Sequence, residues 1–596
     1  MESVEAVYRR LLGEGQARVE GVRRWHNGLG YAKLIVFLSG VTGAAVLIRM
    51  HGPLILILIP LVILIALIVV HDRVLRRLEK LTRVTAFYSR GLARLEGAWA
   101  GTGETGDRFF DAAHPYARDL DLFGKGSLFE LLCTARTRAG EETLAAWLLA
   151  PAAPEEVEAR QTALGELQPR LAMREQLFLA GEHVRAGVHP QELAAWGDDA
   201  PRLQSRWLPW TLAALAVLWI ASLAVWVVTG KLDLALLVSL INYAVSYRLQ
   251  RRVLPAAEAV EKAAPDLKVL AEVLEIMERE SFSAQRLRAL RARLDTREIP
   301  ASKAVAKLKR IHDWIEDRRN KFVQIFDVFV FYTAQFTMAA ERWRVKFGPA
   351  IRGWLAAAAE FDALAALAGY AYEHPADVLP EVCSATPCFE AENLAHPLLP
   401  PARAVGSDLR LGRSLHLIVI SGPNMAGKST FLRGVGLNAV LAQCGAPVRA
   451  RRLRMSPLTV GASICVLDSL QGGVSRFYAE IQRLKVLSDL AAGPTPLLFL
   501  LDELLSGTNS HDRFEGTKFV VQEFVGKGAI GLVTTHDLAL TAIPETMNGV
   551  AANSHFEDSI EDGQLHFDYR LRPGIVQTSN ALKLMEAVGL KVPGSR

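Results

Sequence analysis

The stretch HLIVISGPNMAGKSTFLRGVGLNAV, from His416 to Val440, decides how the rest of the chain is read. The apolar run Leu417–Ile420 predicts a strand, a glycine-rich turn follows, and a helix begins at once. Gly422, Pro423, Asn424, Met425, Ala426, Gly427, Lys428 and Ser429 fit the phosphate-binding pattern G-x-x-x-x-G-K-[ST], in the strand–turn–helix context that the pattern requires. The residue types follow from the chemistry. Backbone N–H groups at a helix start hold phosphate oxygens. Lys428 brings a point charge to the β- and γ-phosphates of ATP, and Ser429 offers a hydroxyl to Mg2+.

Two further strand ends complete a constellation. Leu497–Leu501 is apolar and stops at Asp502 and Glu503. Asp502 suits a direct or water-mediated hold on Mg2+, and the adjacent Glu503 suits polarisation of an attacking water. GAIGLVTTHD is another strand and ends in Thr535, His536 and Asp537, which places His536 to sense a γ-phosphate. Taken alone, two carboxylates or a histidine at a strand end would be ordinary solvated or structural groups. Downstream of a phosphate loop they predict an ATPase of the α/β P-loop class.

Outside this region the chain reads differently. It has 596 residues, enough for three or more domains, with 51% hydrophobic and 22% charged side chains. A mean hydropathy of +0.18 is high for a soluble protein, and the excess is local. The net charge of +5 permits nucleic acid or anionic lipid as a partner without demanding either. Five scattered cysteines (Cys133, Cys383, Cys388, Cys444 and Cys465) fit neither a disulfide framework nor a zinc site, and read as reduced and structural.

The local excess lies in two apolar doublets. Leu34–Ile48 and Pro53–Val70 are uncharged; the second is long enough to cross a hydrocarbon core as a helix and too long for a strand. Trp207–Gly230 and Leu234–Tyr247 form the second doublet, whose last member is short. Arg23, Arg24 and Lys33 precede the first doublet, and Arg73, Arg76, Arg77 and Lys80 follow it. Arg202 and Arg206 precede the second, and Arg248, Arg251 and Arg252 follow it. The positive-inside rule therefore predicts a multi-pass membrane protein with its N-terminus, middle and C-terminal half on the cytoplasmic side. Buried core helices are the competing reading, disfavoured by the lack of charge over spanning lengths. The remaining segments, 73–200 and 250–375, carry helical periodicity. Phe322–Met338, with recurring Gln324, Asp327 and Gln335, predicts a buried amphipathic helix rather than a fifth span. The basic stretch Arg286–Arg310 reads first as a solvated helix face and second as a phosphate-contacting arm.

GPNMAGKST, DSLQGGVSRFYAEIQRL from Asp468, DELLSGTNSHDR from Asp502 and TTHD resemble, in order and spacing, the motifs of the MutS mismatch-repair ATPases. The resemblance covers about 380–592, with HPLLP at His396 and TSNALKLMEAVGL at Thr578 as flanking elements. DLDLFGKGSLFELLCTARTRAGEETLAAWLLAP from Asp119 resembles the start of the family's helical core. It implies an N-terminal region over 1–110 holding the first hairpin at about 31–71. A MutS-like helical core and lever domain over 111–375 follows, interrupted by the second hairpin at about 207–248, and then an ABC-type ATPase domain over 376–596. It further implies a homodimer in which Ser475 reaches the γ-phosphate of the partner's ATP, with Glu503 as the water-activating carboxylate, His536 as the switch, Asp502 on the metal, and Asn424 and Thr430 lining the loop.

The departures bear on function. A membrane hairpin stands where the family has its mismatch-reading domain, and no Phe-x-Glu triplet occurs, so the family's base-stacking wedge has no counterpart. No nuclease-like segment lies before the end of the sequence, Ala426 stands for a family glycine, and no aromatic for adenine stacking is evident near Ala404; Tyr569 is the substitute on the C-terminal side. The expectation is a membrane-anchored, DNA-binding ATPase that closes a clamp on duplex or branched DNA without reading mismatches. The alternative is an ATP-driven switch acting on a protein partner, whose identity the sequence does not give. A small-molecule transporter is disfavoured, because the four spans carry no run of polar residues.

Overall fold

A computed structural model describes residues 2–51, 53–180, 190–203, 205–263, 267–296, 298–383, 386–423, 425–464, 476–561 and 564–576. Two compact units divide between Thr102 and Gly103.

The first unit is a helical hairpin. Val4–Arg49 starts at Ser3, whose hydroxyl accepts from the Ala6 N–H, and Leu58–Leu95 returns after a turn in which His51 takes φ +53°. Its charged base is zipped by Tyr8, Phe87 and Tyr88 in edge-on contacts, and Gly91 leaves the room that the Tyr8 ring occupies. Its apolar end is bare: Ile35, Ile48, Ile55 and Val62 are each more than half exposed. A soluble hairpin has the opposite distribution, because exposing contiguous apolar surface to water is unfavourable.

The second unit holds a helical part and a sheet part. Leu208–Thr229 and Asp233–Ala263 form a second hairpin around Gly230 at φ +71°. The segment Phe322–Met338 is not one buried helix, contrary to expectation. Lys321–Val330 ends at Phe331, φ +56°, and Tyr332–Glu373 leaves at an angle of 72°. The break is held by side chains: Asp327 Oδ1 accepts from the Thr333 N–H at 2.8 Å, and Asn242, fully buried, donates to the Phe329 carbonyl at 2.8 Å. Trp219 stacks on Phe329 and donates to Ser239, which ties the short helix to both members of the second hairpin. Ile325 and Phe326 stay exposed on its outer face. Among the described residues, three helices are long and apolar enough to cross a membrane (Val4–Arg49, Ile55–Leu95 and Leu208–Thr229), or four if the bent pair counts as one. Asp233–Ala263, which carries the short fourth run, is not among them.

Tyr332–Glu373 runs for 42 residues, with Pro349 inside it, from the apolar hairpin to the sheet part. Its far half is buried, and Asp362 there accepts from the Arg136 and Thr137 N–H groups and the Thr137 hydroxyl. Burial pushes the Asp362 carboxyl up, and those donors oppose the shift. The helix ends where Tyr370 donates to Asp377, which also pairs with Arg449 at 2.9 Å.

The sheet part has twelve strands in three sheets: β1 (Glu381–Val382), β2 (Cys388–Leu394), β3 (Ser407–Gly412), β4 (Leu417–Ser421), β5 (Arg452–Met455), β6 (Thr459–Ser463), β7 (Leu497–Asp502), β8 (Ile530–Thr535), β9 (Ala551–His555), β10 (Asp558–Glu561), β11 (Gln564–Phe567) and β12 (Arg572–Pro573). The main sheet runs β12-β9-β4-β8-β7-β6, parallel except for β12. A smaller sheet, β1-β5-β2-β3, stands beside it, and β10 pairs with β11. LIVIS and LLFLLD are nearly continuous in apolar residues because both faces of a parallel sheet are covered by helices. Lys428–Cys444, Arg476–Ala491 and Ser510–Gly526 follow β4, β6 and β7 respectively and lead the chain to its next strands. Open parallel sheets bind ligands beyond the carboxyl ends of their strands, which here directs attention to Gly422, Asp502 and His536.

Candidate active site

The turn after β4 is built from conformations that side chains resist. Gly422 has φ +152°, Met425 +71° and Gly427 +94°, and Gly427 caps the helix Lys428–Cys444. A Cβ on Gly422 would lie 2.8 Å from the Phe556 carbonyl oxygen, and one on Gly427 would lie 3.1 Å from the Tyr569 ring. The turn thus brings bare backbone and a helix N-terminus to one edge of a cavity, as a phosphate cradle requires.

Lys428 is buried; its Nζ donates to the Gly422 and Pro423 carbonyls at 2.7 and 3.0 Å and lies 3.8 Å from Glu503. Burial lowers its pKa, and Glu503 and Asp502 oppose the shift. Glu503, φ +49°, turns off the end of β7 and meets His536 Nδ1 at 3.1 Å. Asp502 is held by the buried Thr534 hydroxyl of the neighbouring strand. Lys428, Ser429, Thr430, Pro423, Met425 and Glu503 line one cavity of about 730 Å³, large enough for a nucleotide. Ala426 is buried beneath the turn. Asn424 and Ser475 lie outside the described residues.

The rest of the cavity lining is only partly legible in the sequence. Tyr569 beside Gly427, Phe556 beside Gly422 and His396 beside Gly434 line it together with Arg403. Phe431 and Phe556 meet edge-on, with ring centroids 5.9 Å apart. Burial, followed by the charges of Arg433 and Arg449, pushes His396 down to about 4, so it is neutral near pH 7. Arg403 carried no motif signal; it arrives through the loop between β2 and β3.

For chemistry, the site offers a cationic clasp, a hydroxyl at Ser429, an acid pair, and a histidine that orients one acid. Ser429 and Asp502 supply hard oxygens of the kind Mg2+ takes. Among the described residues no cluster of three or more Asp, Glu, His or Cys side chains forms a cage of its own. That suits an ion held by one or two protein groups and by phosphate oxygens.

Residues 418–593 match the family model of MutS domain V. The C-terminal part of this chain is similar to the MutS family. It is 37% identical over 180 residues to the DNA mismatch repair protein MutS 2 of Haloarcula marismortui, covering 29% of this chain and 18% of that protein. It is 32% identical over 247 residues to the DNA mismatch repair protein MutS of Natronomonas pharaonis, covering 39% of this chain and 27% of that protein. The chain therefore aligns with little more than a quarter of the length of these MutS relatives at most, and the family match takes in Lys428, Ser429, Thr430 and Glu503 of the cavity lining.

The basic stretch takes its ordinary role in large part. Arg286 bridges Glu156 and Glu360, Arg291 donates to the Glu278 carbonyl, and Lys309 pairs with Asp313. Arg288, Arg293, Lys303, Lys307 and Arg310 are exposed.

Proposed function

We propose that this chain is a membrane-anchored ATPase of the MutS type, which hydrolyses ATP as a homodimer and uses the cycle to open and close a clamp on DNA without reading mismatches. One observation carries the reading. Lys428, Ser429 and Glu503 share a cavity at the carboxyl edge of a parallel sheet, with His536 3.1 Å from Glu503.

In this mechanism the backbone of Gly422–Thr430 and the helix start take the β- and γ-phosphates. Lys428 leaves the Gly422 and Pro423 carbonyls for the phosphate oxygens, so its hydrogen bonds are exchanged rather than lost. Ser429 and Asp502 would hold Mg2+, which would supply charge neutralisation on the phosphates. Glu503 accepts a hydrogen bond from the attacking water and so orients it, and His536 fixes the direction of that carboxylate. Tyr569, which is exposed, offers a ring face to a base. Met425, Phe477, Tyr478 and Leu538 are exposed apolar side chains around the same strand ends, which supports a second copy closing over the site with its Ser475.

The two bare apolar hairpins support insertion into a bilayer, with the N-terminus, the middle and the ATPase on the cytoplasmic face. The test is ATP turnover by the full chain in detergent or vesicles, with and without duplex and branched DNA at two salt concentrations. DNA that stimulates turnover and binds with a steep salt dependence supports the clamp. Turnover indifferent to DNA sinks it and leaves the second reading, a switch acting on a protein partner. That reading is favoured by Arg286, Arg291 and Lys309, which are engaged within the chain.

A further inference from the structure

Two buried charges and one nearly buried one, none of them part of the cavity lining, are linked through a single helix. Glu480 is 4% exposed and accepts from the Leu505 N–H at 2.7 Å. One turn along the same helix, Arg483 pairs with Asp119 at 2.6 Å and donates to the Ala462 and His114 carbonyls. Asp119, 3% exposed, also accepts from the Ile464 N–H at 2.8 Å, and the Pro115 carbonyl accepts from the Ala462 N–H.

The segment 114–122 therefore clasps the end of β6 and the helix Arg476–Ala491. It also reaches the phosphate-loop helix: Asp121 pairs with Arg433 at 3.0 Å, and Leu120 fills the space that a Cβ on Gly436 would need. One short stretch of the helical part thus touches both the phosphate-loop helix and the helix that carries Glu480.

The contact at Leu505 matters because of where it falls. Glu503 at φ +49° and Leu505 at φ +53° occupy the left-handed region, which is strained for a residue with a Cβ. Such a turn persists only when its surroundings over-determine it. Glu480 supplies that constraint by holding the Leu505 N–H, which is buried and would otherwise lack a partner.

We propose that Asp119, Arg483 and Glu480 are positioning residues that set the Glu503 turn, so that the segment 114–122 governs ATP turnover without contacting nucleotide. This rests on the ATPase reading above. The helical part moves Asp119, Asp119 moves Arg483 and its helix, and Glu480 carries the displacement to the backbone two residues beyond Glu503.

The test compares Glu480→Ala, Glu480→Gln and Asp119→Asn in the full chain. Turnover, affinity for a fluorescent ATP analogue, and amide hydrogen exchange over 502–508 without nucleotide are read. Glu480→Ala is expected to lower kcat about 10- to 100-fold, the effect of a small misplacement of a reacting group. Nucleotide affinity should stay within about threefold, since ground-state binding does not use this contact. Glu480→Gln, whose amide oxygen still accepts from Leu505, should restore most of the rate. Asp119→Asn, which keeps its shape, should lower kcat by a smaller factor, and exchange over 502–508 should quicken in both impaired variants. Equal losses of kcat and affinity, no rescue by Gln, or unchanged rate and exchange would overturn the proposal. If the wild-type chain shows no turnover, the ATPase reading fails, and the exchange measurement alone still decides whether the path holds the turn.

Discussion

The candidate nucleotide site and the apolar hairpins are determined in opposite ways. In the site, single atoms decide: the Lys428 ammonium, the Glu503 carboxylate, the missing Cβ of Gly427. In the first hairpin no single residue decides anything; a sum over Leu34–Val70 does, and its side chains are nearly all exposed. The site should therefore fail abruptly on one substitution, and the hairpin should tolerate one and fail only on several.

That contrast can be broken, beginning with the largest effect. Glu503→Gln should lower kcat about 100- to 10,000-fold, the range for losing a positioned base, while MgATP still binds and the dimer is stabilised. Turnover at the wild-type rate would remove Glu503 from its role. Lys428→Ala should weaken MgATP binding by about 100-fold or more, since truncating one charge of a buried charged contact costs about 3 kcal/mol. Unchanged affinity by calorimetry would show that the loop does not clasp phosphate.

The hairpin should respond far less. Ile63 is 45% exposed within Pro53–Val70, where 15 of 18 residues are Leu, Ile or Val. At about 0.3–0.6 kcal/mol each those residues favour insertion by roughly 5–9 kcal/mol, against about 3 kcal/mol for one arginine near the centre. Ile63→Arg should therefore remain in the membrane fraction after carbonate extraction, while three arginines spread along the run should not. Release by the single change would mean that the hairpin is held by something other than its summed apolarity.

The smallest effect tests His396 in the cavity lining. His396 is neutral in the fold down to about pH 4, whereas in an unfolded chain it protonates near 6.5. Its contribution is fully present above pH 6.5 and is lost as pH falls towards 4. His396→Gln should accordingly lose less Tm than wild type between pH 7 and pH 4.5. Equal losses would show that the imidazole is not held neutral.

How much was legible follows the same division. The phosphate loop, Asp502, Glu503 and His536 could be read because their chemistry dictates residue type at fixed places on strand ends. The hairpins could be read because apolarity accumulates over length. Asp119, Arg483 and Glu480 could not, since each is an ordinary charge on its own and Asp119 lies 364 residues from Arg483. The break at Phe331 carried no glycine or proline to announce it; Asp327 and Asn242, apart in sequence, make a phenylalanine tolerable at φ +56°. Arg403 belongs to the cavity only because the loop after β2 folds back over the phosphate turn.

The helix Tyr332–Glu373 has a mechanical consequence. At 1.5 Å per residue its 42 residues span about 63 Å, with one end among the apolar helices and the other fixed through Tyr370, Asp377 and Arg449 beside the nucleotide domain. It works like an oar in a rowlock. A tilt of about 5° at the inboard end sweeps the blade through about 5 Å, so small adjustments beside the cavity become displacements on the scale of a side chain among the apolar helices.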